Sequence, residues 1–309
     1  MELNRKRYND LDTYYKKKYG KKIIKLPLDG GFTCPNRDGT LSSRGCIYCS
    51  DAGAGEWTYR SVGDIKAQIA YQKKILVKPD REEGYIAYFQ NFTNTYGDVA
   101  KMREMFYAAI NEADIVGLSI ATRADCLPDE VLAMLSELNK ITDLTIELGM
   151  QSVNEGTLKF INRGYSHQEF DNGVQKLCSL GIEMVAHIIV GLVGEDIDDY
   201  LRDISYINYR GIEGIKIHNL YIENNTYLKS YYEKNNISYD MTKDDYANIV
   251  VSMLRHLNPD VVIHRLTGDG VSSNIAYPLW SKNKGAVLST IDKIMKDGNF
   301  RQGDLCKEN

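Results

Sequence analysis

The sequence has no long hydrophobic run. Its longest apolar stretch extends from Met184 to Gly194 and is interrupted by His187, whereas a membrane-spanning helix needs about 20 apolar residues. The first ten residues carry charges without an apolar segment behind them. We therefore expect no transmembrane helix, no secretory signal and a cytoplasmic location.

Proline is also scarce, with 6 residues, and no low-complexity or Pro-rich linker interrupts the chain. With 309 residues, 43% hydrophobic and 26% charged, the composition is that of an ordinary globular protein that can bury a core without disulfides. In the reducing cytoplasm, the 6 cysteines are better explained as metal ligands or free thiols than as disulfides.

Strand-like and helix-like patterns alternate along the chain, which is typical of a parallel sheet with helices packed on it. The strands are predicted at 22–28, 84–90, 115–122, 143–150, 182–190, 213–219 and 260–266. Helix starts are indicated by Ser61 with Asp64, Ser166 with Glu169 and Thr242 with Asp245, and a helix end by Gly181. We expect an α/β barrel-type core at 26–225, preceded by a basic segment at 1–25 and followed by an α/β extension at 226–309.

The two faces of the predicted strands differ in polarity. In 144–151 the apolar face would meet helices, and Glu147 would lie on the polar face, inside the barrel. Lys216 and His218 would point inward as well, and Ser119 shares a face with Gly117, Ala121 and Arg123. An interior so polar and roomy indicates a wider or incomplete barrel that holds a ligand, rather than a filled closed barrel.

The net charge of −4 is unevenly distributed. Residues 1–25 contain nine Lys or Arg and three Asp or Glu residues, interleaved with Tyr8, Tyr14, Tyr15 and Tyr19. Such a segment could follow a phosphate backbone and stack on bases. The alternative is the solvated face of an amphipathic helix.

Three cysteines lie in one loop directly after the first strand, GGFTCPNRDGTLSSRGCIYCS. Cys34, Cys46 and Cys49 could bind three irons of a [4Fe-4S] cluster and leave the fourth iron open. A structural zinc is the alternative, but the chain offers no nearby fourth Cys or His. Cys178 and Cys306 do not pair with Cys126 at cluster spacing, so no second cluster is expected.

This loop resembles that of the radical S-adenosylmethionine (SAM) superfamily, with Tyr48 at the aromatic position before the last cysteine. A series of further motifs is similar to the small YhcC/YtqA-like subgroup, which we interpret as MnmL-type tRNA wobble-uridine modification enzymes, and distantly to the Elongator catalytic subunit. These motifs are FQNFTNTY, ATRADCLPDEVL, IELGMQSVNEGTLKFINRGYSH, AHIIVGLVGE, GIKIHNLYI, HRLTGDG and PLWSKNKGAVLSTID. The resemblance implies a partial (β/α)6 TIM-like barrel, a [4Fe-4S] cluster and SAM.

The resemblance also implies a set of SAM contacts. Arg163 would bind the SAM carboxylate, for which a guanidinium is suited, and Gln151 the ribose. The implied cofactor-binding residues are Tyr48, Thr93, Asn94, Ser119, Gln151, Arg163, His187 and Gly191. Inward or strand-end positions without a SAM contact remain for substrate, which makes Lys216, His218, Glu147 and Cys126 the candidate catalytic residues. An inward lysine needs a carboxylate partner or an anionic ligand, so a structural Lys216–Glu147 ion pair is the alternative for that position.

The reaction implied by the resemblance begins with a 5'-deoxyadenosyl radical that removes a hydrogen atom from the substrate. In the subgroup the substrate would be the tRNA wobble uridine, whose carboxymethylaminomethyl group becomes aminomethyl before a separate methyltransferase acts. The implied partners are tRNA, bound through the basic N-terminal segment, and a reductant such as flavodoxin or ferredoxin. The alternatives are a radical enzyme acting on a small metabolite or a peptide, and a non-catalytic iron–sulfur or zinc protein that binds RNA.

Overall fold

Runs of β-branched and aromatic residues form the strands of this protein. The computed structural model describes residues 6–50, 53, 58, 64–76 and 82–307. The strands in that part of the chain are β1 (Lys22–Leu28), β2 (Glu83–Phe89), β3 (Ile115–Thr122), β4 (Asp143–Gln151), β5 (Glu183–Val190), β6 (Gly214–Asn219), β7 (Ile222–Glu223), β8 (Val262–Arg265) and β9 (Ile275–Tyr277). The seven predicted strands are confirmed to within two residues at each end, whereas the short strands β7 and β9 were not predicted.

The seven long strands form one parallel sheet in the order β1-β2-β3-β4-β5-β6-β8, and β7 pairs with β9 in a separate antiparallel ribbon. This half-barrel confirms the predicted partial TIM-like fold. The structure adds that β8, which belongs to the predicted C-terminal extension, pairs with β6 as a seventh strand. The domain boundaries at 25 and 225 remain a prediction.

Ten α-helices lie in the described ranges, and most of them pack on the outer face of the sheet. They are α1 (Leu11–Tyr19), α2 (Ile65–Leu76), α3 (Val99–Ile110), α4 (Asp129–Leu138), α5 (Glu155–Phe160), α6 (His167–Ser179), α7 (Ile197–Arg210), α8 (Tyr227–Lys234), α9 (Lys243–His256) and α10 (Lys284–Asp297). The apolar sides of the strands, such as Leu144, Ile146 and Leu148 of β4, are buried in the same core as the helices. In the described ranges, no helix is long and apolar enough to cross a membrane.

The predicted helix ends agree with the structure where it describes them. Ser166 and Thr242 each form a capping box with the acidic residue three positions later, which satisfies free amides of α6 and α9. Gly181 has φ 62°, and its amide donates to Cys178 O at 2.9 Å just after α6. Ser61 lies outside the described residues.

The open side of the half-barrel, between β1 and β8, is partly covered by both ends of the chain. Ile263 N of β8 donates to Asn9 O at 2.7 Å, and Asn9 N donates to Gln302 Oε1 at 2.8 Å. These bonds join the N-terminal and C-terminal segments to the free edge of β8. Unpaired strand edges are thereby shielded.

Helix α1 lies at the amino ends of the strands. Tyr15 is buried against Ile23 near the start of β1. Tyr19 Oη donates to Asp143 Oδ2 at 2.7 Å, and Lys18 Nζ lies 3.2 Å from the same carboxylate, which belongs to the first residue of β4. Because the strands are parallel, the loops that follow them lie at the opposite end of the sheet. Helix α1, which carries part of the basic segment, is therefore remote from the cysteine loop, and the buried Tyr15 is not available to stack on a base.

Candidate active site

A cavity of about 270 Å³ opens at the carboxyl ends of the strands, which is where α/β barrels place their active sites. The cysteine loop after β1 forms one wall. The sheet contributes inward side chains from successive strands, among them Tyr88, Ala121, Glu147, His187, Lys216 and Arg265. The prediction of a polar interior that could hold a ligand is confirmed.

Cys34, Cys46 and Cys49 all line this cavity. The loop that carries them is held in place by Asn36, whose Nδ2 donates to Asn162 O at 2.6 Å and lies 3.6 Å from Cys46 Sγ. Cys49 N donates to Cys46 O at 3.0 Å, which closes the turn between these two cysteines. Burial raises the pKa of Cys46 above its usual range and that of Cys49 to about 12.

The donor set on this wall fits a [4Fe-4S] cluster, in which each of three irons takes one thiolate. Two hydrogen-bond donors already face the sulfurs, since Arg123 Nη1 lies 4.0 Å from Cys34 Sγ and Asn36 Nδ2 lies near Cys46 Sγ. Donors of this kind tune a cluster. No three His, Cys, Asp or Glu side chains of the described ranges are close enough together to bind one metal ion.

Glu147 is the centre of the cavity floor, and its side chain is fully buried. Lys25 Nζ and Ser119 Oγ donate to Oε1 at 2.7 and 2.8 Å. His187 Nε2 lies 2.7 Å from Oε2, and Lys216 Nζ donates to the same oxygen. The Lys216–Glu147 ion pair, given above as the structural alternative for Lys216, is therefore present, and a second lysine, Lys25, shares the same carboxylate.

The buried charges of this floor perturb one another. Burial raises the pKa of Glu147, but the charges of Lys216 and Lys25 overcome this effect and hold it well below its usual range. Burial lowers the pKa of Lys216 to about 7 against the attraction of Glu147. Burial, with the charge of Lys216, lowers the pKa of His187 to about 4. His187 is therefore neutral at pH 7, and its Nε2–H can donate to Glu147.

His218 follows Lys216 by two residues on β6, so both side chains lie on the same face of the sheet. Its ring centroid is 5.5 Å from that of His187. Burial and the charge of Arg265 hold its pKa well below the usual value. Among the described residues, its buried Nε2 has no hydrogen-bond partner. The structure thus brings together three of the four predicted catalytic residues: Glu147, Lys216 and His218.

Most of the predicted SAM contacts line the same cavity: Tyr48, Thr93, Gln151, Arg163 and His187. Arg163 is 1% exposed. Its guanidinium donates to Met150 O at 2.8 Å and, from Nε and Nη2, to Tyr165 O at 3.1 and 3.0 Å. A guanidinium has five N–H groups, so two are left without a partner in the described chain. These contacts to SAM remain predictions.

Four predicted residues lie outside the cavity lining. Ser119 lies beneath it, bonded to Glu147. Asn94 Nδ2 lies within hydrogen-bond distance of three backbone oxygens, Phe89 O, Asn91 O and Ala121 O, so this side chain supports the loop after β2. Gly191 has φ 101°, and its amide donates to Tyr200 Oη. Cys126 is buried in a second cavity beside Pro128 and Lys176, so the structure does not bring it to Lys216 and His218.

Three charged residues of the site were not assigned by sequence reasoning. Lys25 was inside a predicted strand, and alternation alone does not reveal that its ammonium reaches Glu147. Arg265 lines the cavity from β8 and was quoted only as part of a motif. Arg123 was placed on the inward face, but its hydrogen bond to Arg163 O at 2.8 Å depends on a loop 40 residues away.

Comparison with known proteins agrees with this geometry. Residues 39–207 match the Radical SAM superfamily, and residues 212–297 match the Radical_SAM C-terminal domain. The chain therefore belongs to the radical SAM superfamily. The cofactors of this superfamily are a [4Fe-4S] cluster and SAM, which confirms the two predicted cofactors.

The relatives include two bacterial proteins that match over almost their whole length. The chain is 40% identical over 298 residues to YtqA of Bacillus subtilis (strain 168), which covers 96% of this chain and 92% of that protein. It is 33% identical over 284 residues to YhcC of Escherichia coli (strain K12), covering 91% and 90%. Among solved structures, archaeal Elp3 of Methanocaldococcus infernus shares the fold, with a TM-score of 0.62, 16% identity and coverage of 91% of this chain and 64% of that chain.

Proposed function

We propose that this radical SAM enzyme acts on the wobble uridine of tRNA and converts a carboxymethylaminomethyl side chain to aminomethyl, the MnmL-type reaction. The cavity floor is the observation that carries the proposal. Lys25 and Lys216 share the single carboxylate of Glu147 there, and Arg265 lines the same cavity. The part of the substrate that would be removed ends in a carboxylate, which suits a floor with surplus positive charge.

When bound, the cluster and SAM would supply radical chemistry that oxidises the substrate carbon next to nitrogen by two electrons, with SAM reduced to methionine and 5'-deoxyadenosine. Water would then cleave the C–N bond, which leaves aminomethyl on the uridine and releases the removed part as a two-carbon aldehyde acid. The chain holds the cluster and SAM with Cys34, Cys46 and Cys49 on one wall, with Gln151 at the end of β4 and with Arg163 in the segment after α5. Its other task is to fix the substrate carbon in reach and to shield the site from competing reactions. Lys216 and His218 lie at the floor, where they can position the end of the substrate side chain.

Two partners follow from this proposal. A one-electron reductant such as flavodoxin or ferredoxin is needed, because radical SAM enzymes generally require one. The aminomethyl product is a substrate for a separate methyltransferase. The α1 segment does not adjoin the cavity, so the proposal places the anticodon loop at the cavity mouth and assigns no tRNA contact to α1.

A second candidate is a radical SAM enzyme for a small metabolite or a peptide. The observation that favours it is the position of α1. The lysines of this helix lie at the amino ends of the strands, and Lys18 and Lys16 already pair with carboxylates, at 3.2 Å to Asp143 and 2.6 Å to Asp12. Among the described residues, α1 therefore adds no basic surface to the mouth of the cavity, where the sequence suggested one for an RNA substrate.

Anaerobic incubation of the reconstituted enzyme with SAM, a reductant and bulk tRNA distinguishes the two. We expect nucleoside mass analysis to show loss of carboxymethylaminomethyluridine and gain of aminomethyluridine. A Cys46→Ala variant is the control and should give neither change. SAM cleavage by the parent without any altered nucleoside would contradict the tRNA proposal and favour the second candidate.

A further inference from the structure

The row of side chains above Glu147 contains hydrogen-bond donors that lack acceptors. Gly149, His187, Lys216 and Arg265 are register partners on four adjacent strands. Partners of this kind present their side chains to the same face of a sheet. Lys216 and Arg265 are therefore neighbours on the inner face, and both line the cavity.

Lys216 has one donor to spare. An ammonium carries three N–H groups, and two of them donate to Glu147 Oε2 and to Tyr88 Oη, the latter at 3.0 Å. The ammonium also lies 4.5 Å from the centroid of the Tyr88 ring. Within the described part of the chain, the third N–H has no acceptor.

Arg265 also has N–H groups without an acceptor in the described part of the chain. Within the described ranges, its guanidinium makes one ion pair, 3.4 Å from Nη2 to Asp269 Oδ2, and no hydrogen bond. Lys284 approaches the same carboxylate at 3.0 Å and is more exposed than Arg265. Asp269 is therefore shared by two cations, as Glu147 is.

The charge balance at this end of the cavity is positive. Lys25, Lys216 and Arg265 pair with two carboxylates, Glu147 and Asp269, and Lys284 approaches Asp269 from outside the lining. The third acidic residue of the lining, Glu223, belongs to β7 rather than to the strands that carry Lys216 and Arg265. Unmatched charge in a buried site is costly unless a ligand compensates for it.

From these donors and this charge we infer a carboxylate subsite between Lys216 and Arg265, with His218 Nε2 as a third donor, which binds the acidic end of the substrate. The inference rests on the proposed function and deepens it, since it names the group that anchors the substrate. A carboxylate at the end of a side chain fits better than a backbone phosphate, because Lys216 lies on the cavity floor and is buried.

Binding measured by anaerobic calorimetry tests the subsite without turnover. The probes are 5-carboxymethylaminomethyluridine and its primary carboxamide, added to the reconstituted enzyme with SAM present. We expect the acid to bind about tenfold more tightly than the amide, as for a charge-assisted pair. In Arg265→Met and in Lys216→Met this preference should fall to about threefold or less.

Lys284→Met is the matched control, because it removes the other cation on Asp269 without changing the cavity floor. It should keep the full preference for the acid. Equal binding of acid and amide by the parent, or an unchanged preference in Arg265→Met, would overturn the subsite.

A second pair of probes separates this inference from the proposed function. N-benzylglycine and N-benzylglycinamide carry the same acid and amide without uracil. A preference for the benzyl acid that is lost in Arg265→Met, with bulk tRNA unaltered, would support the subsite and refute the tRNA substrate. Altered tRNA nucleosides with no preference for either acid would refute the subsite alone.

Discussion

Replacing Glu147 by glutamine removes the carboxylate on which two buried lysines depend. Removing one partner of a buried ion pair typically costs about 3–5 kcal/mol. We expect the lower end of that range, because the pKa of Lys216 is already about 7 and this ammonium can lose its proton once Glu147 is gone. Domains are stable by about 5–15 kcal/mol, so urea unfolding of the anaerobic enzyme should detect the change readily.

The pH dependence of this loss has a defined sign. The negative charge of Glu147 raises the pKa of Lys216, so this pKa is lower in Glu147→Gln. Just below the parent value of about 7, Lys216 is therefore protonated in the folded parent and largely deprotonated in the folded variant. By linkage, the stability difference between parent and variant falls as pH rises from about 5 to about 8. Ser119→Ala is the control. It removes one hydrogen bond to the same carboxylate and should cost about 1 kcal/mol, with little dependence on pH.

A double variant, Glu147→Gln with Lys216→Met, completes the test. If the ion pair is the cause, removing both partners should restore much of the stability that Glu147→Gln loses. A loss below about 1 kcal/mol in Glu147→Gln, with the same value at both ends of the pH range, would refute the reasoning.

Three further predictions concern other parts of the chain. Arg163→Met should weaken SAM binding about 10- to 150-fold in anaerobic calorimetry; unchanged affinity contradicts the predicted carboxylate contact. Burial raises the pKa of Glu195 to about 7, so stability should fall as pH rises from about 4.5 to 7. Over that pH range the free energy of unfolding of the parent should fall by up to about 3 kcal/mol, and Glu195→Gln should abolish this decrease. The same pH dependence of unfolding in parent and variant would contradict this. Replacing Lys17, Lys21 and Lys22 of the N-terminal segment by glutamine should leave the salt dependence of tRNA binding unchanged. If the slope of log K against log salt concentration became shallower by about 0.7–0.9 per lost contact, the RNA-binding interpretation of this segment would be restored.

The features that the sequence predicted well are local ones. Alternation with period two depends only on neighbouring residues, and it placed Glu147, Lys216 and His218 on the inner face correctly. Cysteine spacing in one loop likewise required no knowledge of the rest of the chain. Capping boxes at Ser166 and Thr242 span three residues and were confirmed.

Contacts between distant parts of the chain were beyond this reasoning. Lys25 and Glu147 are 122 residues apart, and only closure of the sheet brings them together. Arg265 reaches the site because β8 joins the sheet beside β6. The basic character of residues 1–25 was correctly noted, but composition does not indicate which end of the barrel the segment covers. Its position follows from Tyr15, Lys18 and Tyr19, which bind the starts of the strands.

The charged floor distinguishes a functional interior from a merely filled one. A buried ion network contributes little stability compared with apolar packing of the same volume, and the rest of this sheet packs an apolar core of Leu, Ile and Val. Lys25, Lys216 and Arg265 are therefore best explained by what the cavity binds beyond SAM, which is why binding of the acid and amide probes is a direct test of what this enzyme recognises.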